Sequence, residues 1–226
     1  MGCRRGPAGR RPRRVPRARC HAPQGRARKR GCGPVTFIRE TIVTSLNVDG
    51  TVHVAPMGAT VTEHGYILAP FRPSRTLDNL LATRHAVINM TDDVRVYAGC
   101  VSGQRRHWPT QPAERIRGAV LAGALAHEEV EVASVAEDAQ RPRLDCRPVH
   151  RVNHRPFRGF NRAQAAVIEA AILVSRLHLL PADKIEREMA YLSIAIEKTA
   201  GPEEREAWGW LVDRIAEHNT GREERA

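Results

Sequence analysis

Apolar and polar residues alternate in short runs through the middle of this chain and recur at helical spacing through its last third. The stretch "TIVTSLNVDGTVHVAPMG" reads as two strands joined at Asp49-Gly50, a dipeptide suited to a tight hairpin. A third run, Tyr66 to Phe71, follows a turn at His64-Gly65. Leu77, Leu80 and Leu81 then fall on one face of a short helix over Thr76–Arg84. Further strands are expected at Ala86–Met90, Ala119–Ala126, Glu129–Val135 and Leu144–Val152, with Ser102–Pro112 as an irregular loop.

After Asn161 the period becomes helical. Asn161, with Gln164 three residues on, has the spacing of a capping box, and "RAQAAVIEAAILVSRLHLL" is apolar almost all round, which predicts a buried helix. A second helix starts near Asp183 and Glu186, with Ile185, Met189, Leu192 and Ile196 as its stripe. Gly201-Pro202-Glu203-Glu204 opens a third, with Trp208, Leu211, Val212 and Ile215 facing inward. The fold class is therefore α+β, mainly β: a closed or partly closed barrel with a C-terminal segment of about three helices. The expected divisions are an Arg-rich leader over 1–34, a barrel over 35–158, a helical segment over 159–220 and a disordered tail over 221–226.

Charge changes the picture only at the front. The chain has 226 residues and a net charge of +11, which invites a nucleic-acid reading. Twelve of its 36 basic residues lie in 1–34, which holds no acid, leaving 24 basic against 25 acidic residues beyond it, a net of −1. The domain itself has no basic excess. The leader has almost no large apolar residues, lacks the apolar core of an export signal and lacks the serine of a transit peptide. It reads as a dispensable extension, in preference to a tail for nucleic acid or an anionic surface. Cys3, Cys20 and Cys32 fall within it; Cys100 and Cys146 lie in the domain, with no CxxC pair anywhere. No apolar stretch is long enough to cross a bilayer. These features predict a soluble, cytoplasmic protein.

Three short motifs carry candidate chemistry. In "HVAPMG", Pro56 removes a ladder donor and Gly58 permits close backbone approach, so the segment is either a β-bulge or a surface against something flat. In "FRPSRTLDNLL", Thr76 is an expected N-cap, while Arg72, Ser74, Arg75, Thr76 and Asn79 also have the chemistry of a phosphate cradle. From the residues alone both readings stand. In "NMTDDV", Thr91 before two acids has the pattern of a capped helix start, which fits better than a two-carboxylate site, and Asn89 or Thr91 could present polar atoms to a ligand. The scattered histidines show no HxH or HExxH spacing, and no metal is expected.

With "GFNRAQAAVIEAAILVSRLHLLP" and "IEKTAGPEEREAW", these motifs resemble a family of small flavoproteins of unassigned function, first described in archaeal and methylotroph genomes and similar in fold to the FMN-binding split barrels. The resemblance runs over roughly residues 37–217, in order and at the same spacings. It implies a homodimeric split barrel holding FMN near the subunit interface. It also implies that Arg72, Ser74, Arg75, Thr76 and Asn79 hold the FMN phosphate, that Ala55, Pro56, Met57 and Gly58 lie against the isoalloxazine ring, and that Asn89 and Thr91 add polar contacts. Arg105, Arg106, His107 and Trp108 depart from what the family has in that region. The function implied is an FMN-dependent oxidoreductase passing hydride or electrons to or from an unknown small substrate, with His53 and His107 as weak candidates for a proton donor. The alternatives are a flavin carrier without turnover, or a nucleic-acid-associated protein acting through its Arg-rich leader.

Overall fold

The computed structural model describes residues 36–223 and, ahead of them, residue 2; the rest of the leader expected over 1–34 and the last three residues of the expected tail lie outside the described residues. The elements run β1 (Ile38–Leu46), β2 (Val52–Val61), β3 (Tyr66–Leu68), α1 (Arg75–Thr83), β4 (His85–Met90), α2 (Arg95–Ser102), β5 (Thr110–Pro112), β6 (Ala119–Leu121), β7 (Ala126–Ala136), β8 (Arg143–Asn153), α3 (Arg162–Val174), α4 (Ala182–Thr199) and α5 (Pro202–Glu223).

Six strands close into a barrel in the order β1-β2-β3-β8-β7-β4, every pairing antiparallel. The hairpin forms where Asp49-Gly50 predicts it. Gly50 supplies a φ of 85°, and the Asp49 carboxylate accepts from the Thr51 N–H at 2.9 Å. β3 pairs only with the last three residues of β2 and with Leu144–Cys146 of β8. Residues 52–58 of β2 therefore have β1 on one side and no strand on the other among the described residues. That opening splits the barrel, and Pro56, which cannot donate to a ladder, sits within it.

Alternation decides what each face meets. Val43, Ala59, Leu68, Ala86, Ile88, Val130, Val132 and Leu144 fill the barrel, and Leu77 and Leu80 of α1 close it. The other face is also covered: Ile42 and Val54 pack against α2 and, through it, α3, α4 and α5, while Val87 packs against Ile116 and Val120 of the β5–β6 hairpin. This double burial explains why Thr41 to Ser45 of β1 are all buried. The helical segment reaches the barrel largely through α2, whose main helical neighbours are α5 and α3. No helix among the described residues is long and apolar enough to cross a membrane.

Several expectations are corrected. The run from Tyr66 to Phe71 is a strand only to Leu68; beyond it the Ala69 carbonyl accepts from the Arg141 guanidinium, and Pro70 and Pro73 have no N–H to pair. The strand expected over Ala119–Ala126 breaks after Leu121 into a turn closed by Ala124 N–H to Leu121 O at 3.0 Å, and the chain re-enters the barrel as β7. The loop over Ser102–Pro112 ends in the short strand β5. Asn161 caps α3 by accepting from the Ala163 and Gln164 N–H groups, but Gln164 donates to Glu204 instead of completing the box. Val212 is 42% exposed, because α5 turns Ala207 and Leu211 inward.

Candidate functional site

The helix cap lies two residues earlier than the sequence indicates. Ser74, in extended conformation, caps α1 by accepting from the Leu77 N–H at 3.3 Å, so Thr76 is a first-turn residue. Thr76 is instead turned into the barrel mouth, where its hydroxyl lies 3.2 Å from His53 Nε2. Asn79, one turn on, donates to Ser45 Oγ at 3.0 Å and to Asn47 Oδ1 at 2.9 Å, tying α1 to the β1–β2 hairpin. The N–H groups of Arg75 and Thr76 have no hydrogen-bond partner among the described residues, as the first turn of a helix leaves them. Asp78 is exposed and is not among the residues lining the cavity beside it.

That cavity, of about 640 Å³, is lined by residues of the hairpin and β2 (Asn47, Thr51, Val52, His53, Val54), by Arg75, by Cys100 of α2 and by Arg106, His107, Trp108 and Thr110. It falls within the size of small-molecule sites, roughly 300–1,000 Å³. None of the lining residues is acidic. Neither Arg75 nor Arg106 has an ion-pair or hydrogen-bond partner among the described residues, whereas Arg72, Arg95 and Arg151 each hold a carboxylate. Burial, and then the positive charges of Arg75 and Arg106, push the His53 pKa below its ordinary 6.5. His53 is therefore neutral at neutral pH. Burial likewise raises the Cys100 thiol to about 11, against the opposing pull of Trp108 and Arg106, so it is an uncharged, poorly nucleophilic wall.

Of the outer wall, only His107 was singled out from sequence, as a weak candidate for a proton donor. α2 ends at Gly103, whose φ of 87° is open to glycine, and the chain folds back over the helix. A side chain at Gly99 would meet Arg105 O at 2.9 Å and the Trp108 ring at 3.1 Å, so only glycine admits this return. Trp108 donates to Arg105 O at 3.2 Å and lies 4.0 Å from the Arg105 guanidinium. The signal was present in "AGCVSGQRRHW": a glycine inside a helix and another ending it, ahead of a tryptophan.

The other expected site residues are distributed unevenly. Pro56 and Gly58 pair in unbroken register with Ile42 and Glu40, so this segment holds no bulge, and a Cβ at Gly58 would come within 3.0 Å of the Ile38 side chain. Ala55, Pro56, Met57 and Gly58 are half-buried along the split and follow directly on Val54, but none of them is among the residues lining the cavity. Arg72 pairs with Glu137 at 3.0 Å and does not line the cavity. Asn89 is fully buried, with its amide nitrogen near Ile42 O and Thr44 Oγ1 and its oxygen accepting from the Leu121 N–H at 2.9 Å. Thr91 accepts from the Asp93 N–H at 3.1 Å and the Asp93 carboxylate accepts from the Arg95 N–H, but both acceptors lie ahead of α2, whose N-cap, Val94, makes no side-chain bond, so the capped start expected at Thr91 is not formed.

A second polar cluster stands on β7 and β8. Glu129, fully buried, accepts from the N–H groups of Glu114, Arg115 and Ile116 at 2.7, 2.7 and 3.0 Å, pinning the β5–β6 connection to the barrel. Burial alone would raise its pKa, but these three donors more than offset it and hold the carboxyl below its usual range. His127 lies beside it, stacked on His154, and burial, followed by that neighbour, lowers its pKa.

Comparison with known proteins places this arrangement. An FMN-bound protein of Methanosarcina mazei superposes with a TM-score of 0.70 at 19% identity, over 78% of this chain and 94% of that one. A 2-nitrobenzoate 2-nitroreductase of Pseudomonas fluorescens (TM-score 0.45, 19% identity, 54% and 68% covered) and an FMN-binding protein of Thermus thermophilus (0.43, 15%, 62% and 80%) are more distant. No curated protein matches in sequence. At these identities the structures show the fold alone, that of the FMN-binding split barrels with a C-terminal helical segment. Two family models, the N-terminal domain and a second part of a protein of unknown function, DUF447, match residues 39–155 and 161–213. Together they span most of the molecule, and the chain belongs to the DUF447 family.

Proposed function

We propose that this protein binds FMN in the cavity beneath α1 and works as an oxidoreductase. The observation that carries the reading is a cavity with no acid in its lining and, at one end, Arg75, whose guanidinium and backbone N–H, like the N–H of Thr76 next to it, have no partner among the described residues. A helix N-terminus with a guanidinium beside it is suited to a phosphate dianion. The donor set fits the group, and the FMN bound by the Methanosarcina mazei protein of the same family supports it.

In this reading Ser74, Arg75 and Thr76 hold the phosphate. His53 orients the Thr76 hydroxyl and, being neutral, adds no competing charge. Asn79 fixes α1 on the hairpin, Asn89 and Thr91 secure the barrel and the entry to α2, and Arg72 acts outside the cavity. The half-buried backbone around Ala55, Pro56, Met57 and Gly58, next along β2 from the cavity-lining His53 and Val54, would lie against the isoalloxazine ring. A flavin held there supplies hydride or electron transfer through its N5, while the chain supplies binding, orientation and exclusion of water. We also propose a homodimer, in which a second copy covers the unpaired stretch of β2; exposed Phe37, Ile38, Val149, Phe157 and Phe160 support it. The free thiols of Cys100 and Cys146 accord with a cytoplasmic setting.

The test is the double variant Arg75→Glu with Thr76→Ala. It should fold and lose its flavin; full flavin retention in a folded variant refutes the phosphate assignment. Anaerobic NADH or NADPH should bleach the wild-type flavin, whereas no bleaching by either favours a carrier.

A further inference from the structure

One guanidinium in the cavity is not needed for the cofactor phosphate. Arg106 stands beyond the C-terminus of α2, its Nη2 3.2 Å from where a Gly103 Cβ would be, while Arg75 belongs to the N-terminus of α1. Both charges bear on His53, which sits on β2, and both guanidinia, exposed at the rim of the cavity, are unpaired among the described residues. The wall that carries Arg106 is built: Gly99 admits it, Gly103 turns it, and Trp108 is held by its own hydrogen bond and by the Arg105 guanidinium. His107 lines the same wall, and no carboxylate of the lining neutralises it.

Arg106, exposed and with no partner among the described residues, lines the same acid-free cavity as the half-buried Trp108 indole, a combination that favours a planar ligand bearing an anionic group, with bidentate hydrogen bonds at one end and apolar contact at the other. We propose that Arg106, with His107 and Trp108, forms a second anion subsite that holds the carboxylate or phosphate of an aromatic or heterocyclic co-substrate against the cofactor. Arg106 is then the residue that sets specificity for anionic over neutral substrates. This rests on the FMN reading for the identity of the first subsite, while anion binding at Arg106 can be read without it.

The probes are phenyl phosphate, benzoate and neutral benzamide, titrated into the full-length protein as purified. The quenching of Trp108 emission is followed against Trp108→Phe, and flavin per chain is measured in parallel. Wild type should bind at least one of the two anions saturably and more tightly than benzamide; which of them binds tighter separates a phosphate from a carboxylate subsite. Arg106→Gln should weaken that anion by roughly tenfold or more and leave benzamide and flavin content unchanged. Arg75→Gln should do the converse, lowering flavin content. Equal binding of the anions by wild type and Arg106→Gln, or no preference for either anion over benzamide, overturns the proposal even if flavin is present. Anion selectivity that depends on Arg106 in a flavin-free protein would uphold the subsite and defeat the FMN reading instead.

Discussion

Two polar clusters lie against the same barrel, and they differ in what their charged groups touch. On β7 the Glu129 carboxylate is sealed from water and accepts three backbone N–H groups. Beneath α1, Arg75 and Arg106 line a cavity with no acid in its lining, and neither has a partner among the described residues. A buried charge that is fully hydrogen-bonded within the chain holds structure together, since removing its partner costs much more than the pair contributes. A charge left unpaired beside a cavity is available to a ligand. Position in a conspicuous motif does not distinguish these cases: Asn89 belongs to one and is wholly engaged, while Arg106 belongs to none and is free.

The largest effect should come from breaking the satisfied cluster. Glu129→Ala leaves three N–H groups, among them that of buried Ile116, without their acceptor and should lower stability by about 3 kcal/mol or more, read as a lower denaturant midpoint. A stability equal to wild type would mean that the β5–β6 connection is held by something else. The second effect is on the cavity: Arg75→Glu should weaken FMN binding by about a hundredfold while leaving the denaturant midpoint within about 0.5 kcal/mol of the wild-type apoprotein. A collapse of stability with it would make Arg75 structural and erase the contrast.

Acid sharpens the comparison. Because the folded pKa of His127 is depressed, the unfolded chain binds a proton more readily, and stability should decline as pH falls below 6.5. Glu129, also depressed, contributes stability that is present above its unfolded value of 4.5 and is lost as pH falls through its lower folded pKa. Two stages should appear in a series of denaturant midpoints, and Glu129→Gln should remove the lower one and deepen the upper, since the Glu129 carboxylate 3.6 Å from His127 favours its charged form. A smaller shift is expected in the cavity. Arg106→Gln removes a positive charge that disfavours the His53 imidazolium, so the His53 pKa, followed by NMR, should rise toward 6.5. The smallest effect is expected from deleting residues 1–34, which precede the family match at residue 39: stability and flavin content should stay as they are.

Much of the fold was legible because period and turn chemistry act locally. Asp49-Gly50 makes a hairpin whatever surrounds it, and the stripes on α3 and α4 have to be buried somewhere. Thr76 was misplaced as a cap because Ser74, two residues earlier, has a hydroxyl equally able to reach a first-turn N–H, and contact with His53, 23 residues away in sequence, decides between them. Half of the site was readable in the α1 motif for the same local reason. The other half, Cys100 to Thr110, was not, since it becomes a wall only when Gly99 lets the chain fold back over α2. Glu129 gave no signal at all: in "EVEVASV" it alternates like a solvent-facing acid, and its burial depends on the β5–β6 hairpin covering that face.

The central claim is that the cavity under α1 is a flavin site, and the visible spectrum of the purified protein, with the released cofactor identified by mass, tests it most directly. The account predicts flavin absorbance and about one FMN per chain, both lost in the Arg75→Glu, Thr76→Ala variant. A colourless protein that takes up no added FMN would contradict it.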